Sequence, residues 1–164
     1  MTRTRHPVLA ATLWGGFIAG TLDIGAASVI SGYNPLVILK YIAGGVLGKA
    51  ALAGGPAIAV LGMLLQWGMS IIIAAIFVLA THRHIARTRN WPTWGIAYGV
   101  VIFFVMNYVV VPLSALHATP HFSTYSFIAN LSAMLVFGWI VAVVAKIFMT
   151  ARNAVENPSL SGSP

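Results

Sequence analysis

Cysteine is absent from the 164-residue chain, and its only acidic side chains are Asp23 and Glu156. A chain without cysteine has no disulfide, no thiolate metal ligand and no cysteine nucleophile. With so few carboxylates, it also lacks the paired acids of aspartyl proteolysis and glycoside hydrolysis, and the acidic cluster that holds magnesium for phosphoryl transfer. The sequence therefore predicts no catalytic residues, and we expect the protein not to be an enzyme.

Histidine does not point to a metal or a haem. The zinc-protease motif His-Glu-x-x-His and the hydrolase motif Gly-x-Ser-x-Gly are both missing. The pairs His82/His84 and His117/His121 have metal-like spacing, but each falls at the end of an apolar run without a neighbouring carboxylate. We interpret them as interfacial residues and predict no metal site and no cofactor. The alternatives are metal ligation or, for the second pair, a response to pH.

Charge is scarce, and apolar sequence is abundant. Charged residues form 7% of the chain, against about a quarter in soluble domains, and 59% of the residues are hydrophobic. Four apolar runs are long enough to cross a hydrocarbon core of about 30 Å: residues 8–30, 56–80, 93–116 and 122–149. We predict an all-α membrane protein in which residues 1–150 form a single four-helix transmembrane domain. Residues 151–164, rich in Ser, Pro, Gly and Asn, should form a disordered cytoplasmic tail.

A fifth apolar segment, residues 36–53, contains Lys40 and Lys49. If it crossed the membrane, the cations before the first helix would face the opposite side from most of the others. With four crossings, seven cations share one side: Arg3, Arg5, Arg83, Arg87, Arg89, Lys146 and Arg152. The positive-inside rule then puts both termini in the cytoplasm. We predict that this segment is an outer re-entrant or interfacial helical segment between helices 1 and 2.

The same cations bear on partners. They flank apolar runs and form no basic face with interleaved aromatic residues, so we expect them to contact membrane lipids, with no nucleic acid partner.

Each predicted span carries one strongly polar side chain. Because odd helices run outward and even helices run inward, these side chains have similar depths in the outer half of the bundle. A lone charge at such depth costs at least about 2.5–3.5 kcal/mol, so the carboxylate should face inward, with a lysine of segment 36–53 as its counter-charge. We predict a polar cluster of Asp23, Gln66, Asn107, Asn130 and Lys49. It is either an ion or proton site or a set of interhelical hydrogen bonds that stabilises the bundle.

Glycines at a spacing of four predict close helix packing, because they let two backbones approach. The pairs are Gly16 and Gly20, Gly44 and Gly48, and Gly95 and Gly99. Four helices leave little room for an internal pathway, so we expect a homo-oligomer or a larger membrane complex.

Two short stretches carry a resemblance. Gly-Phe-Ile-Ala-Gly-Thr-Leu-Asp-Ile-Gly-Ala-Ala (residues 16–27) and Met-Asn-Tyr-Val-Val-Val-Pro-Leu-Ser (residues 106–114) resemble a group of uncharacterised bacterial inner-membrane proteins, the YagU-like family. The resemblance implies a bacterial cytoplasmic membrane and a link to survival in acid, and no catalytic residue carries over. Members often have a histidine in helix two or four, where this chain has Gln66 and Asn130. That departure weakens the transfer of a proton relay.

These patterns favour an integral inner-membrane protein that moves small solutes or protons through an oligomeric bundle around Asp23. The alternative is a non-catalytic accessory or scaffold subunit of a larger membrane complex, docked through its glycine-lined and aromatic faces.

Overall fold

The computed structural model describes residues 6–118 and 123–156, with the side chains of residues 153–156 left undescribed. Within these residues the chain is helical and has no strand. The elements are α1 (Pro7–Ser31), α2 (Pro35–Leu47), a 3-10 helix (Lys49–Ala53), α3 (Pro56–Thr81), α4 (Trp91–Val105), a π-helical segment (Met106–Val110), α5 (Val111–Leu113) and α6 (Thr124–Glu156).

In the described part of the chain, four helices are long and apolar enough to cross a membrane: Pro7–Ser31, Pro56–Thr81, Trp91–Leu113 and Thr124–Arg152. The prediction of an all-α protein with four membrane-spanning helices and a shorter apolar helix between the first two is confirmed. Each of α1 to α4 begins with a proline in its first two positions, where the missing N–H has no helical partner in any case.

The third span, Trp91–Leu113, is interrupted near its end by the π-helical segment. The N–H of Val111 bonds to the carbonyl oxygen of Met106, five residues earlier. Pro112 follows directly and has no N–H for an ordinary helical hydrogen bond. The π turn before this proline accommodates the missing helical hydrogen bond. The span ends at Leu113 rather than at the predicted residue 116.

The fourth span differs from the prediction at its end. α6 continues through residues 151–156, which we predicted to be part of a disordered tail. Ala151 and Ala154 favour a helix here because alanine has the highest helix propensity. Residues 157–164 of the predicted tail lie outside the described residues, as do Arg3 and Arg5.

Helix α6 packs along both α1 and α4; α1 also packs along α3, and α3 contacts α2. Val8 packs against an apolar cluster that includes Ile85 and Met149. The start of α1, the α3–α4 connection and the last turns of α6 therefore lie at one end of the bundle. We call it the termini end, and the opposite one the far end.

Glycine sets the contact between α4 and α6. A Cβ atom on Gly95 would lie 2.7 Å from the Cβ of Ala142 and 2.8 Å from the carbonyl oxygen of Gly138. A Cβ on Gly138 would collide with the backbone of Gly95 and Gly99. The two backbones therefore touch, which is the close approach that small residues permit between membrane helices.

Helix α2 packs at the far end of the bundle. The carbonyl of Leu39 lies where a Cβ of Gly62 on α3 would be, and the amide of Ala115 donates to the carbonyl of Gly45 at 2.8 Å. Gly44 packs on a leucine side chain beyond the third span, whereas Gly48 ends α2 with a positive φ of 76°. The last glycine therefore acts as a helix cap, a role that suits its conformational freedom.

Lys146 of α6 holds the connection between α3 and α4. Its Nζ donates to the carbonyl oxygens of Ala86 at 2.7 Å, Ile85 at 3.1 Å and Thr88 at 3.3 Å. These carbonyls lie in the turns after α3, outside any regular helix, where backbone acceptors need a partner from elsewhere in the protein. A residue that the sequence marked only as a topology cation thus fixes the path of a connecting segment.

Replacing Gly138 with alanine should destabilise the bundle, because the new methyl group would meet the α4 backbone. Overpacking of this kind costs about 1–3 kcal/mol. The measurement is the free energy of unfolding in mixed micelles titrated with dodecyl sulfate. Gly68→Ala is the matched control, because nothing lies within 4 Å of the added methyl group. Equal stability of the two variants would contradict this packing.

Candidate functional site

One acidic side chain lies within the described spans, and it has a single hydrogen-bond partner. Asp23 lies about two-thirds of the way along α1, and its Oδ2 accepts a hydrogen bond of 2.9 Å from Nε2 of Gln66 on α3. Gln66 is buried and Asp23 is half-buried. A charge-assisted bond of this kind joins α1 to α3 and offsets part of the cost of placing a carboxylate in the membrane.

The close approach of α1 to α3 positions this pair. A Cβ on Gly20 would lie 2.5 Å from Oγ of Ser70, and a Cβ on Gly16 would lie 2.5 Å from Cα of Ile71. Glycine leaves room for the facing backbone at position 16 and for the Ser70 side chain at position 20.

Aromatic side chains join the same two helices beside the pair. Nε1 of Trp67 donates to Oγ1 of Thr21 at 3.1 Å, and the ring of Trp67 packs on Phe17 with centroids 4.8 Å apart. Thr21 and Trp67 each neighbour the Asp23–Gln66 pair along the chain, so this contact fixes the local register of the two helices.

Asp23 also lines a groove between α1 and α6. The groove has a volume of about 380 Å³ and is open to its surroundings. Small side chains border it on both helices, among them Ala26 and Ala133. Ser132, which is exposed, is the only other polar residue among those that line the groove in the described structure. The carboxylate thus belongs to an interhelical contact on one side and to an apolar groove on the other.

The second oxygen of Asp23 has no hydrogen-bond partner in the described structure. The bond from Gln66 uses Oδ2, and the described part of the chain gives Oδ1 no hydrogen bond. Among the described residues, no side-chain nitrogen or oxygen is both buried and without a partner. Oδ1 is therefore not fully enclosed by protein atoms, and because Asp23 lines the groove, this oxygen is the one left to accept a proton or a donor.

The structure brings together two of the five residues in the predicted polar cluster, Asp23 and Gln66. The side-chain amides of Asn107 and Asn130 donate instead to the carbonyl four residues earlier in their own helices, at 2.9 and 2.7 Å. Lys49 is exposed in the 3-10 helix that follows α2. Similar depth along a helix does not determine the direction in which a side chain turns, so equal depth alone could not place these three residues at the site.

The α6 side of the groove was not anticipated from the sequence. Ala129, Ser132 and Ala133 line it. Their spacing of three and four residues puts them on one helix face, and this pattern of small residues was a signal that the sequence contained. The polar residue Asn130 was selected from the sequence instead, and it is not among the lining residues of the groove.

Comparisons with protein-family models, curated proteins and solved structures find no match to this chain. The YagU-like resemblance therefore stays a prediction. What the site can do follows from its own geometry: one carboxylate, one bonded amide and one open oxygen at the edge of an apolar groove.

Removing the carboxylate should destabilise the α1–α3 contact, because the buried amide of Gln66 would lose its acceptor. We expect Asp23→Ala to lower the free energy of unfolding by about 1–3 kcal/mol. Asp23→Asn should cost less, since an amide oxygen still accepts. A double-mutant cycle with Gln66→Leu in dodecyl sulfate titrations should give a coupling energy of about 0.6–1.7 kcal/mol. A coupling of zero would mean that the two side chains do not interact.

Proposed function

We propose that the protein takes up and releases protons at Asp23, as an assembly of several copies in a bacterial cytoplasmic membrane. The observation that carries this proposal is a carboxylate that lines the apolar groove and whose Oδ1 has no hydrogen bond to the described residues. The chain's other acidic residue, Glu156, is the last residue of α6. Ionisable side chains within membrane spans are costly to place, and they commonly belong to ion or proton pathways.

A proton suits this site better than a metal cation. Calcium takes about six to eight oxygen ligands, and magnesium takes about six at fixed geometry. The groove offers oxygens only from Asp23 and Ser132 among its described lining residues. A proton, by contrast, needs a single acceptor oxygen, and the Gln66 amide can stay bonded to the other oxygen while Oδ1 changes its protonation state.

The apolar lining of the groove argues for more than one copy. Apart from Asp23 and Ser132, its described lining offers no polar side chain along which a proton could travel. A neighbouring subunit seated over the groove would shield the carboxylate from lipid and could add polar groups. Proton exchange would therefore take place at a contact between copies rather than inside one bundle.

The distribution of cations supports an orientation with both termini in the cytoplasm. Arg83, Arg87 and Arg89 lie in the α3–α4 connection at the termini end, and Lys146 contacts the same connection. The positive-inside rule assigns such an end to the cytoplasmic side.

Proton flux into proteoliposomes tests the proposal directly. With a membrane potential imposed and a pH-sensitive dye enclosed, the unmodified protein should acidify the lumen. Asp23→Asn should reduce the flux to that of empty vesicles, because an amide does not bind and release protons as a carboxylate does. The amide oxygen can still accept the hydrogen bond from Gln66, so the contact between the helices is kept.

Asn107→Ala is the control for that experiment, because its side chain bonds only within its own helix. It should keep the flux of the unmodified protein. Normal flux in Asp23→Asn, with protein of normal stability, would refute a role for this carboxylate in proton exchange.

A second candidate function is that of an accessory subunit in a larger membrane complex. The groove favours it, because small residues on α1 and α6 leave space for a foreign helix, and Gly25 on its lining has nothing within 4 Å of a Cβ position. Extraction from the native membrane in lipid nanodiscs, followed by mass measurement, separates the two. Several copies alone would favour proton exchange, and a stoichiometric unlike partner would favour the accessory role.

A further inference from the structure

A second cavity lies at the termini end, where α3 leads into α4. It has a volume of about 330 Å³, and its lining residues are Ala80, Thr81, His84, Ile85, Thr88 and Trp94. Ala80 and Trp94 belong to the spanning helices, and both are exposed. His84 and Thr88 belong to the connection between the spans. The cavity therefore has an apolar side that continues onto the membrane-facing surface and a polar side formed by the connection.

Two arginines lie next to the polar side of this cavity along the chain. Arg83 and Arg87 are exposed and are the chain neighbours of the lining residues His84 and Thr88. No residue from 80 to 94 is acidic. Guanidinium groups bind phosphate oxygens through paired hydrogen bonds, so this arrangement favours an anionic phosphate over other headgroup chemistry.

Lys146 binds backbone carbonyl oxygens of the connection that would otherwise repel an anion. It binds the carbonyl oxygens of Ile85, Ala86 and Thr88, and it thereby directs these acceptors toward α6. Three hydrogen bonds tie the connection to α6, and its arginine donors stay exposed. Carbonyl oxygens that already face the Lys146 cation repel an incoming anion less. A connection that is already tied down also loses less conformational entropy when it binds a ligand.

We propose that this cavity binds the phosphate headgroup of an anionic phospholipid, with the lipid's acyl chain lying along Trp94 and Ala80. Tryptophan at the edge of a span marks the headgroup level of the bilayer. The apolar side of the cavity favours a lipid over free phosphate, because free phosphate gains nothing from contact with Trp94.

Native mass spectrometry of the purified full chain tests this inference. The protein in detergent is titrated with an equimolar mixture of phosphatidylglycerol and phosphatidylcholine, and the bound lipids are counted. The unmodified protein should retain phosphatidylglycerol in preference. Arg83→Gln combined with Arg87→Gln should weaken this retention about thirtyfold, because each cation at the lipid surface contributes roughly a fivefold gain in affinity.

Two further variants separate a site from general attraction. Thr88→Phe fills the cavity and keeps every charge, so it should also lose the bound lipid. Arg3→Gln combined with Arg5→Gln removes the same charge at the start of the chain and should retain it. If this control pair loses as much lipid as the Arg83 and Arg87 pair, bulk charge explains binding and the site is refuted.

Inorganic phosphate supplies the remaining test. Millimolar phosphate should not displace phosphatidylglycerol from the unmodified protein. Displacement would identify the cavity as a site for free phosphate and would overturn the lipid proposal. Equal retention of lipid by all variants would show that the cavity is not the lipid-binding site. Because the readout is bound lipid rather than proton flux, failure here leaves the role of Asp23 unaffected, and the reverse also holds.

Discussion

The close approach of α1 to α3 is the constraint on which the candidate site depends. Gly16 lets the two backbones touch and Gly20 makes room for the Ser70 side chain, and this close approach brings Oδ2 of Asp23 to 2.9 Å from Nε2 of Gln66. Between membrane helices, association relies on van der Waals packing and hydrogen bonds rather than on the release of water. The glycine contact and the polar contact therefore stabilise each other, and a larger side chain at Gly20 would separate Asp23 from its partner.

The lipid environment explains why most other polar groups find a hydrogen-bond partner within the protein. Asn107 and Asn130 bond to carbonyls of their own helices, and the hydroxyl of Tyr98 donates to the carbonyl of Ile73 at 2.7 Å. Hydrocarbon offers no replacement for a missing hydrogen bond, so each polar group needs a partner within the protein. Oδ1 of Asp23 differs from this pattern in the described structure, and it is the atom at which the proposed proton exchange would take place.

Sequence could predict the spans, because their length and apolar character follow from the thickness of the bilayer. The first was expected at 8–30 and is Pro7–Ser31, and the second was expected at 56–80 and is Pro56–Thr81. Within the site, Asp23 and Gln66 were identified, whereas the groove on α6 was not. Span length gives depth but not rotation, and rotation decides which face of each helix meets its neighbour. The contact of Lys146 with a connection some 60 residues earlier likewise depends on tertiary packing.

The proposed lipid cavity and Gln66, the partner of the carboxylate, share helix α3, and this matters for how the bundle holds its shape. Gln66 and Thr81 are both in α3, which meets α4 through the Tyr98 hydroxyl and through the ring of Phe77, 5.1 Å from that of Tyr98. A phospholipid seated between Thr81 and Trp94 would add a contact between these two helices at the bilayer surface. It would limit rotation of α3 and so keep Gln66 turned toward Asp23, because a helix fixed at one end transmits its orientation along its length. The composition of the membrane would then influence how firmly the carboxylate is held.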